Sequence, residues 1–283
     1  MPFPTLNPTL TLGATLAACA QAQGDRVACT FLSAEQPPQQ LTYRQLHQQA
    51  LRYAAYLRTH ALEPGDLVLL AGQHDLALLI AFVGALYAGA VPAIFPYMAR
   101  YSNTEIYLRR LSERATAHQM RAVLSTAALQ PALATCLAGT DTLVLALDPF
   151  DADASANADR WGDQAQTAFA LDERPATTPG YLQFSSGTTA EAKGAVLSHG
   201  AALRYIAALA ETIALQQDDV VVGWLPFHHD LGLVGYLFLP LLTGRHVVTM
   251  APDFWVRRPH MLLRAIHEHR GTLAMLPTFA FAH

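Results

Sequence analysis

Cysteine is scarce in this chain: its 283 residues include three, Cys19, Cys29 and Cys136, widely spaced and without a C-x-x-C pair. An odd, scattered set excludes a disulfide framework and a cysteine zinc site, and it fits a reducing cytoplasm. Charge is scarce as well. Charged residues make up 14% and apolar residues 52%, the formal net charge is −4, and no basic run occurs. That balance describes a globular chain with ample core and excludes the electrostatic footprint of a nucleic-acid or anionic-membrane binder. No positive charge precedes Arg26, so the Ala-rich stretch around Leu10 to Ala20 lacks the basic lead of a secretory signal. One uncharged run, the 23 residues from Leu76 to Met98, has the length to span a bilayer. Gly84, Gly89 and Pro92 divide it, and it reads as a buried helix followed by a short strand rather than a membrane span.

Several catalytic signatures are also missing. The histidines form no H-E-x-x-H pair, which leaves His260, His267 and His269 as surface residues, and Ser185 and Ser186 lack the G-x-S-x-G elbow of a hydrolase. Asp148, Asp151, Asp153, Asp159 and Asp163 fit no calcium-loop spacing, so Asp148 to Pro179, which contains Pro149 and Pro175, reads as a long surface connection.

What the chain does have is a steady alternation of short apolar runs and amphipathic stretches. Strands are expected at Val27 to Leu32, Leu67 to Ala71, Val91 to Phe95, Ala122 to Ser125 and Thr142 to Leu147. Between them, Thr42 and Gln45 form a capping box for a helix with Leu46, Ala50, Tyr53, Ala54 and Leu57 on one face. Further helices are expected near Leu76 to Ala88, Thr104 to His118 and Ala127 to Leu137. After the long connection come strands at Tyr181 to Phe184, Ala195 to Leu197, Val220 to Trp224, Val247 to Met250 and Leu273 to Leu276. Helices from Ser198 to about Leu215, Leu231 to Leu242 and Arg258 to His269 separate the later ones. Strands alternating with helices of this length imply an α/β fold, parallel sheets flanked by helices on both faces. Residues 1–175 are read as a first α/β subdomain with its surface connection, and residues 176–283 as a phosphate loop and the start of a second.

The stretch that organises the rest is Tyr181-Leu-Gln-Phe-Ser-Ser-Gly-Thr-Thr-Ala-Glu-Ala-Lys-Gly-Ala-Val-Leu-Ser-His199. Four hydroxyls, Ser185, Ser186, Thr188 and Thr189, surround Gly187, and Lys193 supplies a point charge before Gly194. Successive amides in such a loop make an anion-binding concavity that glycine lets a ligand approach closely. The spacing is not that of a Walker loop, because Gly194 rather than Ser or Thr follows the lysine. A second cluster, Trp224-Leu-Pro-Phe-His-His-Asp-Leu-Gly-Leu233, follows a strand and puts His228, His229 and Asp230 at its carboxyl end, the edge where open parallel sheets bind ligands.

Residues 186–194 resemble the S-G-T-T-G-x-P-K-G phosphate loop of the adenylate-forming superfamily, with Ala190 and Ala192 in place of a glycine and the proline. The second cluster resembles the W-L-P-x-x-H-D-x-G-L segment of fatty acyl-AMP ligases. Leu41-Thr-Tyr-Arg-Gln-Leu46, Pro64-Gly-Asp66, Ala81 to Pro92, Arg258-Pro259 and Leu276-Pro-Thr-Phe-Ala-Phe281 are similar to that family in the same order. The resemblance implies a ligase that activates a carboxylic acid of the fatty-acid class with ATP and Mg²⁺ as an acyl-adenylate for an acyl carrier protein, as in polyketide or nonribosomal peptide biosynthesis. An acyl-CoA synthetase and a noncatalytic acyl- or nucleotide-binding module are the alternatives. By the same resemblance Ser185, Ser186, Gly187, Thr188, Thr189, Lys193 and Gly194 bind the nucleotide and Thr188 contacts the metal. His229 and Lys193 are catalytic, and His229, Asp230 and Phe279 face the acyl substrate, with Asp230 orienting His229. The family's Y-G-x-T-E stretch, ribose-binding aspartate and C-terminal catalytic lysine are not found, so the C-terminal domain is expected to be absent and the chain alone to be inactive or nearly so.

Overall fold

The computed structural model describes residues 6–34, 36–97, 103–150, 171, 174–184 and 193–282. Two four-stranded sheets and a two-stranded hairpin make up its β-structure. The first sheet has the order β2-β1-β10-β9, with β1 (Val27–Leu32), β2 (Gln39–Thr42), β9 (Val220–Gly223) and β10 (His246–Met250). Only β2 runs antiparallel. The second, all parallel, has the order β4-β3-β5-β6, with β3 (Leu67–Ala71), β4 (Val91–Ile94), β5 (Ala122–Ser125) and β6 (Leu143–Ala146). The hairpin pairs β7 (Pro179–Phe184) with β8 (Gly194–Ser198), and β7 lies beside β4.

Strand alternation divides the second sheet between two cores. Val68, Leu70 and Leu124 face the main core, together with residues of the first sheet and of α1 (Leu12–Gln23), α2 (Tyr43–Thr59) and α3 (Leu76–Tyr87). Leu69, Ala71 and Val123 face the opposite way, against Leu108 and Leu111 of α4 (Thr104–Ala117), Leu133 of α5 (Gln130–Cys136) and Leu182 of β7. The uncharged run from Leu76 is thus a core helix and then the buried strand β4; among the described residues no helix is long and apolar enough to cross a membrane.

The remaining helices are α6 (His199–Thr212), α7 (Asp230–Leu233), a π-helical turn (Val234–Phe238), α8 (Leu239–Leu242), α9 (Pro252–Arg257) and α10 (His260–Glu268). The capping box on α2 is present, with Thr42 accepting from Gln45 N–H and the Gln45 side chain accepting from Thr42 N–H at 2.8 Å. Three elements, α1, β2 and α9, had no expectation. In α1 the buried positions are mostly alanine and other small residues, so no apolar stripe stands out from the rest of the helix. The strand expected at Leu273 to Leu276 is a single bridge, Leu273 to Val221. The division expected at residue 175 does not coincide with a division between sheets, since β1 and β2 share a sheet with β9 and β10.

Candidate active site

Every parallel strand delivers its carboxyl end to the same side. From β3 and β4 come Gly72, Gln73, His74, Phe95 and Tyr97; from β9 and β10 come Pro226, Phe227, His228, Ala251 and Asp253. Together they line a cavity of about 630 Å³. Phe227 is buried at 2% exposure, its ring 4.1 Å from that of His74 and 6.3 Å from that of Phe31. His74 holds Thr249 Oγ1 at 3.0 Å through Nε2. Burial, and then the neighbouring His228, push the His74 imidazole down to about 3. Neither His74 nor Gln73 stood out in the sequence; their position at a strand's carboxyl edge was the available signal.

The turn after β9 is built so that its last residues project. His229 N–H donates to Pro226 O at 3.0 Å, and Leu233 N–H donates to His229 O at 2.8 Å, which starts α7. Gly232 is required here: a Cβ on it would sit 2.0 Å from Pro226 O. His229 and Asp230 are exposed, whereas His228 is half-buried and lines the cavity. Burial, followed by His229 with its ring 4.4 Å away, pushes the His228 imidazole down to about 4. The Asp230 carboxylate accepts Leu231 N–H at 2.7 Å and makes no hydrogen bond to the His229 ring.

Ser185, Ser186, Gly187, Thr188 and Thr189 lie outside the described residues, but both ends of their loop are placed. Phe184 pairs with Gly194, so β7 and β8 are together where that segment leaves one and enters the other. Lys193 is exposed at its end. Gly194 packs so closely that a Cβ would meet Leu182 Cδ1 at 3.0 Å. Gln183, one residue before the last of β7, donates Nε2 to His228 O at 2.6 Å. That bond joins the loop end of β7 to the backbone immediately before His229, 45 residues further along the chain.

Phe279 sits elsewhere on the turn's flank, in a 3₁₀ turn (Thr278–Phe281). Its ring lies 6.0 Å from Trp224 and 6.4 Å from Trp255, which stack on each other at 3.9 Å. It is 61% exposed. Among the described residues no group of three or more His, Cys, Asp or Glu is placed to hold a metal ion. Thr188, the one chain contact expected for a magnesium ion, lies outside the described residues.

Known proteins share this fold. Long-chain-fatty-acid–AMP ligase FadD32 of Mycolicibacterium smegmatis is 31% identical over 278 residues, covering 93% of this chain and 41% of the relative. A putative acyl-CoA synthetase of Caulobacter vibrioides is 28% identical over 283 residues, covering 99% of this chain and 46% of the relative. The fatty acyl-adenylate ligase from L. pneumophila, solved with acyl adenylate and pyrophosphate, superposes with a TM-score of 0.81 at 26% identity over 96% of this chain and 45% of that one. A structure from a study of fatty acyl-adenylate ligases of E. coli and L. pneumophila gives a TM-score of 0.84 at 25% identity, over 99% of this chain and 48% of that one. The chain thus spans less than half the length of these relatives. Residues 16–283 match the AMP-binding enzyme model, and the chain belongs to that family.

Proposed function

We propose that the chain supplies the phosphate-binding and acyl-side residues of a fatty acid–AMP ligase, which joins a carboxylic acid to AMP from ATP. The observation that carries this reading is the Gln183 bond to His228 O, which sets the hairpin that ends in the hydroxyl-rich loop against His229. A carboxylate is a poor electrophile. Its oxygen attacks the α-phosphorus of ATP, the bond to the bridging oxygen of the β-phosphate breaks, and pyrophosphate leaves with the electron pair. Charge gathers on phosphate oxygens, so preorganised amides, hydroxyls and a lysine at the loop stabilise that state. Magnesium, when bound, neutralises phosphate charge. Removing one such donor costs about 3 kcal/mol of barrier, about a hundredfold in rate. Lys193 and Gly194 close the loop, Thr188 is its metal contact, and His229 faces the reacting carboxylate with Phe279 on the acyl side.

The acceptor is an acyl carrier protein thiol and the setting the cytoplasm, in keeping with three free thiols. Coenzyme A is the second reading, favoured by the likeness to a putative acyl-CoA synthetase. Calorimetric titration of this chain with ATP and with a nonhydrolysable acyl-adenylate mimic tests the proposal. The mimic is expected to bind at least tenfold more tightly, because it fills both halves of the site. Saturable binding of neither ligand contradicts the reading. Tight mimic binding by a complete enzyme that fails to exchange pyrophosphate favours a noncatalytic binding module instead.

A further inference from the structure

The segment that carries Phe279 is attached to the sheet by very little. Leu273 makes the single bridge to β9, with Val222 N–H donating to Leu273 O at 2.8 Å and Leu273 N–H donating to Val220 O at 3.2 Å. Two residues on, one side chain replaces the main-chain ladder. Tyr236 donates its hydroxyl to Met275 O at 2.5 Å and accepts Met275 N–H at 2.7 Å, so one phenol satisfies both polar groups of that residue as a neighbouring strand would. Beyond Met275 the main-chain hydrogen bonds among the described residues, Ala280 N–H to Pro277 O and Ala282 N–H to Phe279 O, stay within the segment. Among the described residues the Tyr236 hydroxyl is the last hydrogen bond joining the segment to the rest of the protein.

Three local features bring the phenol there. Tyr236 sits in the π-helical turn Val234–Phe238, whose extra residue re-aims side chains relative to an α-helix. Gly223 at the end of β9 leaves room for the ring, since a Cβ on it would lie 2.0 Å from Tyr236 Cε1. Gly235 leaves room for the partner, since a Cβ there would lie 2.7 Å from Met275 Cε. The ring itself is fully buried.

We propose that Tyr236 is the positioning residue of the acyl side: its hydroxyl fixes the segment carrying Phe279 relative to the helix that begins just after His229. This rests on the functional reading above, because it matters only if Phe279 and His229 face one ligand. Released from Met275, the segment would keep only apolar contacts among the described residues: Leu276 and Ala280 against the core, and the Phe279 ring against Trp224 and Trp255.

The test compares Tyr236→Phe with the wild type by hydrogen exchange and by calorimetry with ATP and the acyl-adenylate mimic. In the variant the Met275 amide is expected to lose protection while β9 and β10 keep theirs. Mimic affinity is expected to fall about tenfold and ATP affinity to stay within twofold. Met275→Ala, which keeps the main-chain partners of the hydroxyl, is expected to retain mimic affinity within twofold. Unchanged protection at Met275, unchanged mimic affinity, or equal loss of both ligands overturns the proposal. A wild-type chain that binds neither ligand overturns the functional reading instead, and the clamp is then judged on Met275 exchange alone.

Discussion

Three half-buried imidazoles bear on how the protein meets acid. Burial is the first cause for each: it pushes His74 to about 3 and His228 and His246 to about 4, against an ordinary value of 6.5. Below about pH 6.5 the unfolded chain takes up protons that the folded chain refuses until about 4. Stability from these groups is therefore intact above about 6.5 and falls as pH drops from there toward 4. The urea midpoint at pH 4.5 is expected to lie well below that at pH 7, and a midpoint that stays level contradicts the assignment. The cysteines divide in the same way. Burial holds the thiols of Cys19 and Cys29 up at about 12, whereas Cys136 is exposed. Native protein treated briefly with a maleimide at neutral pH is expected to gain one adduct by mass, at Cys136, and unfolded protein three.

At the scale of elements, the hairpin and the helix pair α2 and α3 are open to direct tests. Lys193→Ala is expected to slow pyrophosphate exchange by the complete enzyme less than deletion of residues 185–192, because the main-chain amides of the loop survive the first change and not the second. Equal losses would place the phosphate grip in the side chain. In α3, Gly84 lies against α2 so closely that a Cβ would sit 2.6 Å from Tyr53 Cβ. Gly84→Ala is expected to destabilise the fold by about 1–3 kcal/mol, read from denaturant unfolding, despite alanine's better helix propensity. Much of this level was legible in the chain itself. The α2 capping box, the Gly84, Gly89 and Pro92 punctuation, and the apolar runs of β3 to β6 place most elements, because their period and their caps are local signals. The Gln183 bond was not legible, because nothing local distinguishes a strand glutamine that reaches a carbonyl 45 residues away. Leu273 to Leu276 reads as a strand by composition, yet a buried tyrosine from the π-helical turn takes the place of its ladder.

On the scale of the molecule, two sheets turn the carboxyl ends of their parallel strands to one side, and the hairpin beside β4 is joined through Gln183 to the turn that carries His229. Parallel strands and their crossover helices could be anticipated from alternation alone. The split into two sheets could not, since β1 pairs with β10, more than two hundred residues later, through a register that no local pattern encodes. The central claim is that one nucleotide-linked acyl group spans the hairpin tip and His229. A crystal structure of this chain with the nonhydrolysable acyl-adenylate mimic tests it most directly. The account predicts phosphate oxygens about 3 Å from the amides of residues 186–194, with the acyl carbonyl within hydrogen-bonding reach of His229. A mimic seated away from an empty hairpin, with His229 out of reach, would contradict it.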